Sequence, residues 1–153
     1  MKEGLLQAWS IHDNKNLLLL ESLSDELLEL RTGSRGRTIA EQFVHLHNVR
    51  ITWSEFVAKP IYEKGLLLGK EEKLTTAVIK DSLAHSKKKI EQVIDIGWEK
   101  DGRLPGFKSG LIPFISYLIS HESHHRGNIM LTLKQANQKL PDNVKWGLWE
   151  WNK

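Results

Sequence analysis

Apolar residues recur at three- and four-residue steps in four long segments of the chain, and no segment alternates as a half-buried strand would. The first segment runs from about Leu5 to Leu30, where Leu17, Leu20, Leu23, Leu27 and Leu30 line one helical face. Two glycines in Thr32-Gly33-Ser34-Arg35-Gly36 then break the pattern. Thr38-Ile39-Ala40-Glu41 has the spacing of a capping box and opens a second helix, whose apolar set is Ile39, Phe43, Leu46, Trp53 and Phe56. Lys59-Pro60 closes it, because proline disfavours helical backbone in the residue before it. Ile61 to Leu74 reads as a loop. A third helix spans about Thr76 to Ile96, with Val78, Leu83, Ile90, Val93 and Ile94 as its apolar set, and Gly97 begins a second loop. Pro113 suits the first turn of a fourth helix that continues to about Gln138, before Pro141.

These elements predict an all-α protein: a four-helix bundle in one domain over residues 1–153, with long connections after the second and third helices. Long connections permit orders other than simple up-down-up-down. The tail from Asn143 to Lys153 carries three of the six tryptophans, Trp146, Trp149 and Trp151. So aromatic a tail is expected to pack on the bundle or on a second subunit.

Composition narrows the chemistry. The chain has no cysteine, which excludes disulfides, thiolate zinc sites, iron–sulfur clusters and a cysteine nucleophile. Net charge is +3, and the basic residues are dispersed apart from Lys87-Lys88-Lys89, which reads as a solvated face. Zinc-finger spacing, an RNP signature and a helix-turn-helix signal are all missing, so no nucleic-acid partner is expected. Leu17 to Leu20, the longest apolar run near the start, is far shorter than the ~20 residues of a membrane span. Met1-Lys2-Glu3-Gly4 leads into a mixed helix and not an apolar signal core, so no membrane association and a cytoplasmic location are expected. There is no phosphate-binding glycine loop with its Lys-Ser/Thr.

Seven histidines remain as the chemically distinctive set. His121-Glu122-Ser123-His124-His125 places His121 and His125 one turn apart. At 100° per residue they share a face with Phe114, Leu118, Ile129 and Thr132, the face a bundle helix buries. Two neutral imidazoles in a core need partners for their ring nitrogens, and one metal ion serves both. For the bare pair, ordinary hydrogen-bonded histidines are the better explanation. The second helix adds His45 and His47, either of which would complete a three-histidine site with positions left for water or substrate. Helical geometry alone does not choose between them, since they lie at opposite edges of the apolar face. The five residues also spell H-E-x-x-H, the zinc-protease pattern. Its extended form fails here, because Leu131 stands where a third histidine belongs and no sheet is predicted to bind a peptide. Glu122, His124 and Arg126 are candidates for orienting or acid–base roles beside the metal. Arg126 is placed either to steer an anion or to pair with Glu122. Gly127 suggests close helix packing or room beside the metal. His12, Asp13 and His85 have no evident partner and read as surface.

Together, Phe43-Val44-His45-Leu46-His47-Asn48-Val49-Arg50 followed by Trp53, then His121 to Asn128, and the ending Trp146-Gly147-Leu148-Trp149-Glu150-Trp151 resemble the DinB-like (YfiT/DinB) metal-binding four-helix bundles over nearly the whole chain. The resemblance implies an up-down-down-up bundle, often a homodimer, and a divalent metal, usually zinc or nickel, on one histidine of the second helix and two of the fourth. Alignment on Trp53 puts the family ligand at His45, with His47 as the alternative or as a packed neighbour. Some members of the family resemble thiol S-transferases that activate a low-molecular-weight thiol. Others are described as metal-dependent hydrolases. The resemblance therefore implies a small-molecule substrate. A non-catalytic metal-binding or sensing bundle stands as the alternative.

Overall fold

The computed structural model describes residues 1–69 and 72–152. Its helices are α1 (Lys2–Glu21), α2 (Ile39–Val57), α3 (Thr76–Glu99), α4 (Leu111–Gln135) and the short α5 (Asp142–Gly147). No strand occurs among the described residues, only two isolated bridges, Arg31 with Thr38 and Leu104 with Phe107. None of these helices is long and apolar enough to cross a membrane.

Side-chain pairs give the helix directions. Lys2 meets Asp95 and Glu21 meets Lys80, so α3 runs against α1. His12 meets Glu122 and Asn16 meets Arg126, so α4 runs with α1. Gln42 meets His125 and Arg50 meets Glu122, so α2 runs against α4 and hence alongside α3. The order is up-down-down-up, with α1 and α2 each packed on α3 and α4. Two successive helices pointing the same way need a connection as long as the bundle, and residues 58–75 supply it, with 3-10 turns at Lys59–Ile61 and Lys64–Leu66.

Local chemistry places the helix ends. The hydroxyl of Thr38 accepts from the Glu41 backbone N–H at 3.1 Å, and the Glu41 carboxylate accepts from the Thr38 N–H at 2.7 Å, completing the capping box. Thr75 caps α3 through the Val78 N–H. α1 stops at Glu21, nine residues before the predicted end, although Leu23 and Leu28 remain buried. The leucine pattern marks burial there, but Ser22, Ser24 and Asp25 disfavour helix interior and prefer caps. Ser22 bonds back to the Leu19 carbonyl, Asp25 accepts from the backbone and hydroxyl of Thr76 at the start of α3, and Asp25–Glu29 forms a 3-10 segment. α3 runs three residues past its predicted end. Gly97 lies inside it, and a Cβ there would meet Leu104 and Leu111 at 3.0 and 3.2 Å. Glycine at this position lets the α3–α4 connection fold tightly onto the helix. α4 ends at Gln135, and Asn137 turns the chain away with φ 57°.

The tail packs on the bundle, but not through its tryptophans. Val144 and Leu148 are buried and Lys15 donates to the Glu150 carbonyl, while Trp146 and Trp149 are largely exposed. Phe56, expected in the core, is also exposed.

The core is apolar at both ends and polar in the middle. Leu19, Phe43, Leu46, Leu83 and Ile129 belong to one apolar cluster. Trp9, Val57, Ile90, Phe114 and Leu118 belong to the other. Between them His12, Asp13, Asn16, Arg50, Ser86 and Glu122 are all fully buried. His12 and Asp13 are thus core residues and not surface ones. The sequence pattern concealed this because a buried polar layer has no hydrophobic periodicity.

Candidate metal centre

His45 on α2 and His121 and His125 on α4 converge at the edge of the polar layer. Each ring offers one nitrogen, and the three nitrogens lie within 4.8 Å of one another. Ring centroids are 5.3 Å apart for His45 and His121, and 4.8 Å for each of the other two pairs. The antiparallel run of α2 against α4 produces this: the one-turn spacing stacks His121 and His125, and His45 arrives level with both. A tetrahedral ion with nitrogen ligands at ~2.0–2.1 Å holds them roughly 3.3 Å apart, so small side-chain rotations suffice to close the set.

The electrostatics favour neutral imidazoles, the form that binds metal. All three rings are pushed below the ordinary histidine range, in each case first by burial. The positive charge of Arg37 adds to this at all three, and His125, which also feels His45 and His121, falls to about 4. His125 Nδ1 donates to the side-chain oxygen of Gln42 at 3.2 Å, which leaves Nε2 of that ring as the lone-pair nitrogen. His121 Nδ1 is buried without a hydrogen-bond partner among the described residues. Three imidazoles whose nitrogens converge in this way, with no competing carboxylate among them, are a donor set that fits a divalent metal.

The remaining candidates go elsewhere. His47 is buried on the other side of α2 and its Nε2 bonds the Leu66 carbonyl, so it does not join the cluster. Glu122 turns away from the histidines into the core. There Arg50 grips both its oxygens at 2.7 and 2.6 Å, His12 bonds it at 2.9 Å and Asn16 at 2.7 Å. Burial works against its charge, but Arg50 and His12 prevail and hold it at about 2. Arg126 forms no ion pair with Glu122; it donates to Asn16 and Ser123. His124 is exposed, bonded to Asn128, with its ring 5.4 Å from that of His125. Gly127 faces open space, so neither close packing nor room at the metal explains it.

Two clefts open beside the cluster. One, about 670 Å³, has His45 in its wall with Arg31, Arg35, Arg37 and Asn48. The other, about 270 Å³, is lined by Arg37, Gln42, His124, His125 and Asn128. Sequence reasoning missed the arginines, which lie in the α1–α2 connection and carry no pattern of their own.

An up-down-down-up helical bundle with three histidines gathered from its second and fourth long helices is the class of protein these features define. The chain belongs to the DinB family, whose profile matches residues 1–146. It is similar in fold to the crystal structure of a DinB-like protein from Bacillus cereus ATCC 10987. The two share 21% identity over 91% of this chain and 95% of the other, with a TM-score of 0.69. No curated protein matches the chain significantly.

Proposed function

We propose that His45, His121 and His125 hold a divalent metal, zinc or nickel, in a small-molecule enzyme of the thiol S-transferase or hydrolase class. The carrying observation is the convergence of three imidazole nitrogens within 4.8 Å, with His45 in the wall of one cleft and His125 in the wall of another. Three protein ligands leave coordination positions for solvent or substrate, as catalytic sites do, whereas structural sites close with a fourth. When bound, the metal lowers the pKa of a coordinated water or thiol and yields a nucleophile near neutral pH. For thiol transfer the sulfur comes from a cosubstrate of low molecular weight, since the chain has no cysteine. Gln42 orients His125, and His124 lies on the wall of the same cleft, hydrogen-bonded to Asn128. Glu122 is no general base, because Arg50 occupies it.

That occupation also supports a second reading, a metal-binding bundle without catalysis. Assay of metal-loaded protein with a low-molecular-weight thiol plus an electrophile, and with activated esters, separates the two. The enzyme reading expects turnover above the metal-free control that is lost in His121→Ala. Metal uptake and thermal stabilisation with no turnover in either assay would leave the non-catalytic reading.

A further inference from the structure

The proposed metal site brings no negative charge of its own. Its candidate ligands are three imidazoles and no carboxylate, and the carboxylate adjacent in sequence, Glu122, is turned into the core and paired with Arg50. A divalent ion there retains its full charge, and the rim adds to it. Arg31, Arg35 and Arg37 all line the 670 Å³ cleft, all are exposed, and none forms an ion pair among the described residues. The carboxylate in that wall, Glu41, is engaged by the Thr38 N–H in the capping box. Arg37 also lines the second cleft, which has His125 in its wall.

The connection that carries the arginines is anchored. Arg31 bridges to Thr38, and the hydroxyls of Thr32 and Thr132 are hydrogen-bonded, which ties the loop to α4. A Cβ on Gly36 would lie 2.5 Å from the Thr32 carbonyl oxygen, so the turn between Arg35 and Arg37 is tightly closed. The guanidinium groups carried on this anchored turn present paired donors that match carboxylate and phosphate oxygens.

We infer that the substrate is anionic, a small molecule whose carboxylate or phosphate group seats among Arg31, Arg35 and Arg37 while its reacting atom lies at His45, His121 and His125. The placement of the reacting atom rests on the metal-site reading. The anion subsite does not, because the guanidinium groups bind with or without metal.

Calorimetric titration of the full chain, metal-free and metal-loaded, with succinate and with inorganic phosphate tests the inference, with neutral succinamide as control. The metal-free protein is expected to bind one of the anions and not succinamide. Arg37→Gln is expected to weaken binding about tenfold, the loss of one charge-assisted contact. Arg31→Gln/Arg35→Gln/Arg37→Gln should abolish it with metal content unchanged. The anion that binds more tightly identifies the group recognised. Absence of binding by both anions, equal affinity in the triple variant, or equal binding of succinamide overturns the inference. Anion binding that requires the metal and ignores the arginines does so too, while leaving the metal site intact. Arginine-dependent anion binding by a protein that takes up no metal upholds the subsite and overturns the metal reading.

Discussion

Arg50 of α2 holds Glu122 of α4 at two points, Nε to Oε1 at 2.7 Å and Nη2 to Oε2 at 2.6 Å, one residue from the candidate ligand His121. Both side chains are fully buried. Burial opposes the charge on Arg50, but Glu122 and Asp13 hold its pKa above the ordinary value. Trp9 stacks under the guanidinium at 4.7 Å. The pair thus fixes the register of α2 against α4, which in turn sets where His45 meets His121 and His125.

Removing one partner leaves an uncompensated buried charge. Arg50→Met is expected to destabilise the fold by ~3–5 kcal/mol, measured by urea denaturation. The double variant Arg50→Met/Glu122→Leu should lose less than the sum of the two single changes, with a coupling energy of ~0.5–3 kcal/mol. Additive losses would mean that the two groups do not act as a pair.

Metal content should separate His45 from His47. Elemental analysis is expected to find near-stoichiometric divalent metal in the wild type, and large losses in His45→Ala, His121→Ala and His125→Ala. His47→Ala should retain the metal while losing ~1 kcal/mol of stability with its bond to Leu66. Chelation should lower Tm of the wild type but not of His121→Ala. Equal metal in all five proteins sinks the site.

Acid should destabilise the metal-free protein in two stages. Burial depresses His12, His47 and the three clustered histidines below the ordinary value of 6.5. As pH falls through about 6.5 the unfolded chain binds protons that the folded chain resists, which favours unfolding. Stability from these rings is therefore complete above that pH and declines below it, down to about 4 for His125. Glu122, depressed from 4.5 to about 2, continues the loss across that lower window. Urea midpoints measured from about pH 8 to pH 3 should fall monotonically below about 6.5; a rise on acidification contradicts the buried neutral histidines.

Gly127→Ala should stabilise the protein. The residue lies inside α4, its position is exposed, and an added Cβ meets nothing within 4 Å. The gain is expected to be ~1 kcal/mol, the helix-propensity difference between the two residues, with metal content unaltered. A loss of stability would reveal a constraint on the backbone at this site.

The helices were legible because apolar periodicity and capping are local: Thr38 with Glu41, Lys59 before Pro60, and Pro113 in a first turn all mark ends within a few residues of where they fall. The His121/His125 pair was legible for the same reason, since one turn of α-helix brings i and i+4 together wherever the helix lies. What lay outside local rules was decided by packing. His45 and His47 differ by two residues and are both histidine, and only the rotation of α2 against α4 sends one to the cluster and the other to the Leu66 carbonyl. Glu122 looked like a candidate base because its neighbours are ligand candidates, but Arg50, 72 residues away, claims it. Arg31, Arg35 and Arg37 look like ordinary loop charges until the connection folds against the histidines. Charges act through space and with long reach in a poorly hydrated interior, so the polar layer and the cationic rim exist only once the four helices have been brought together.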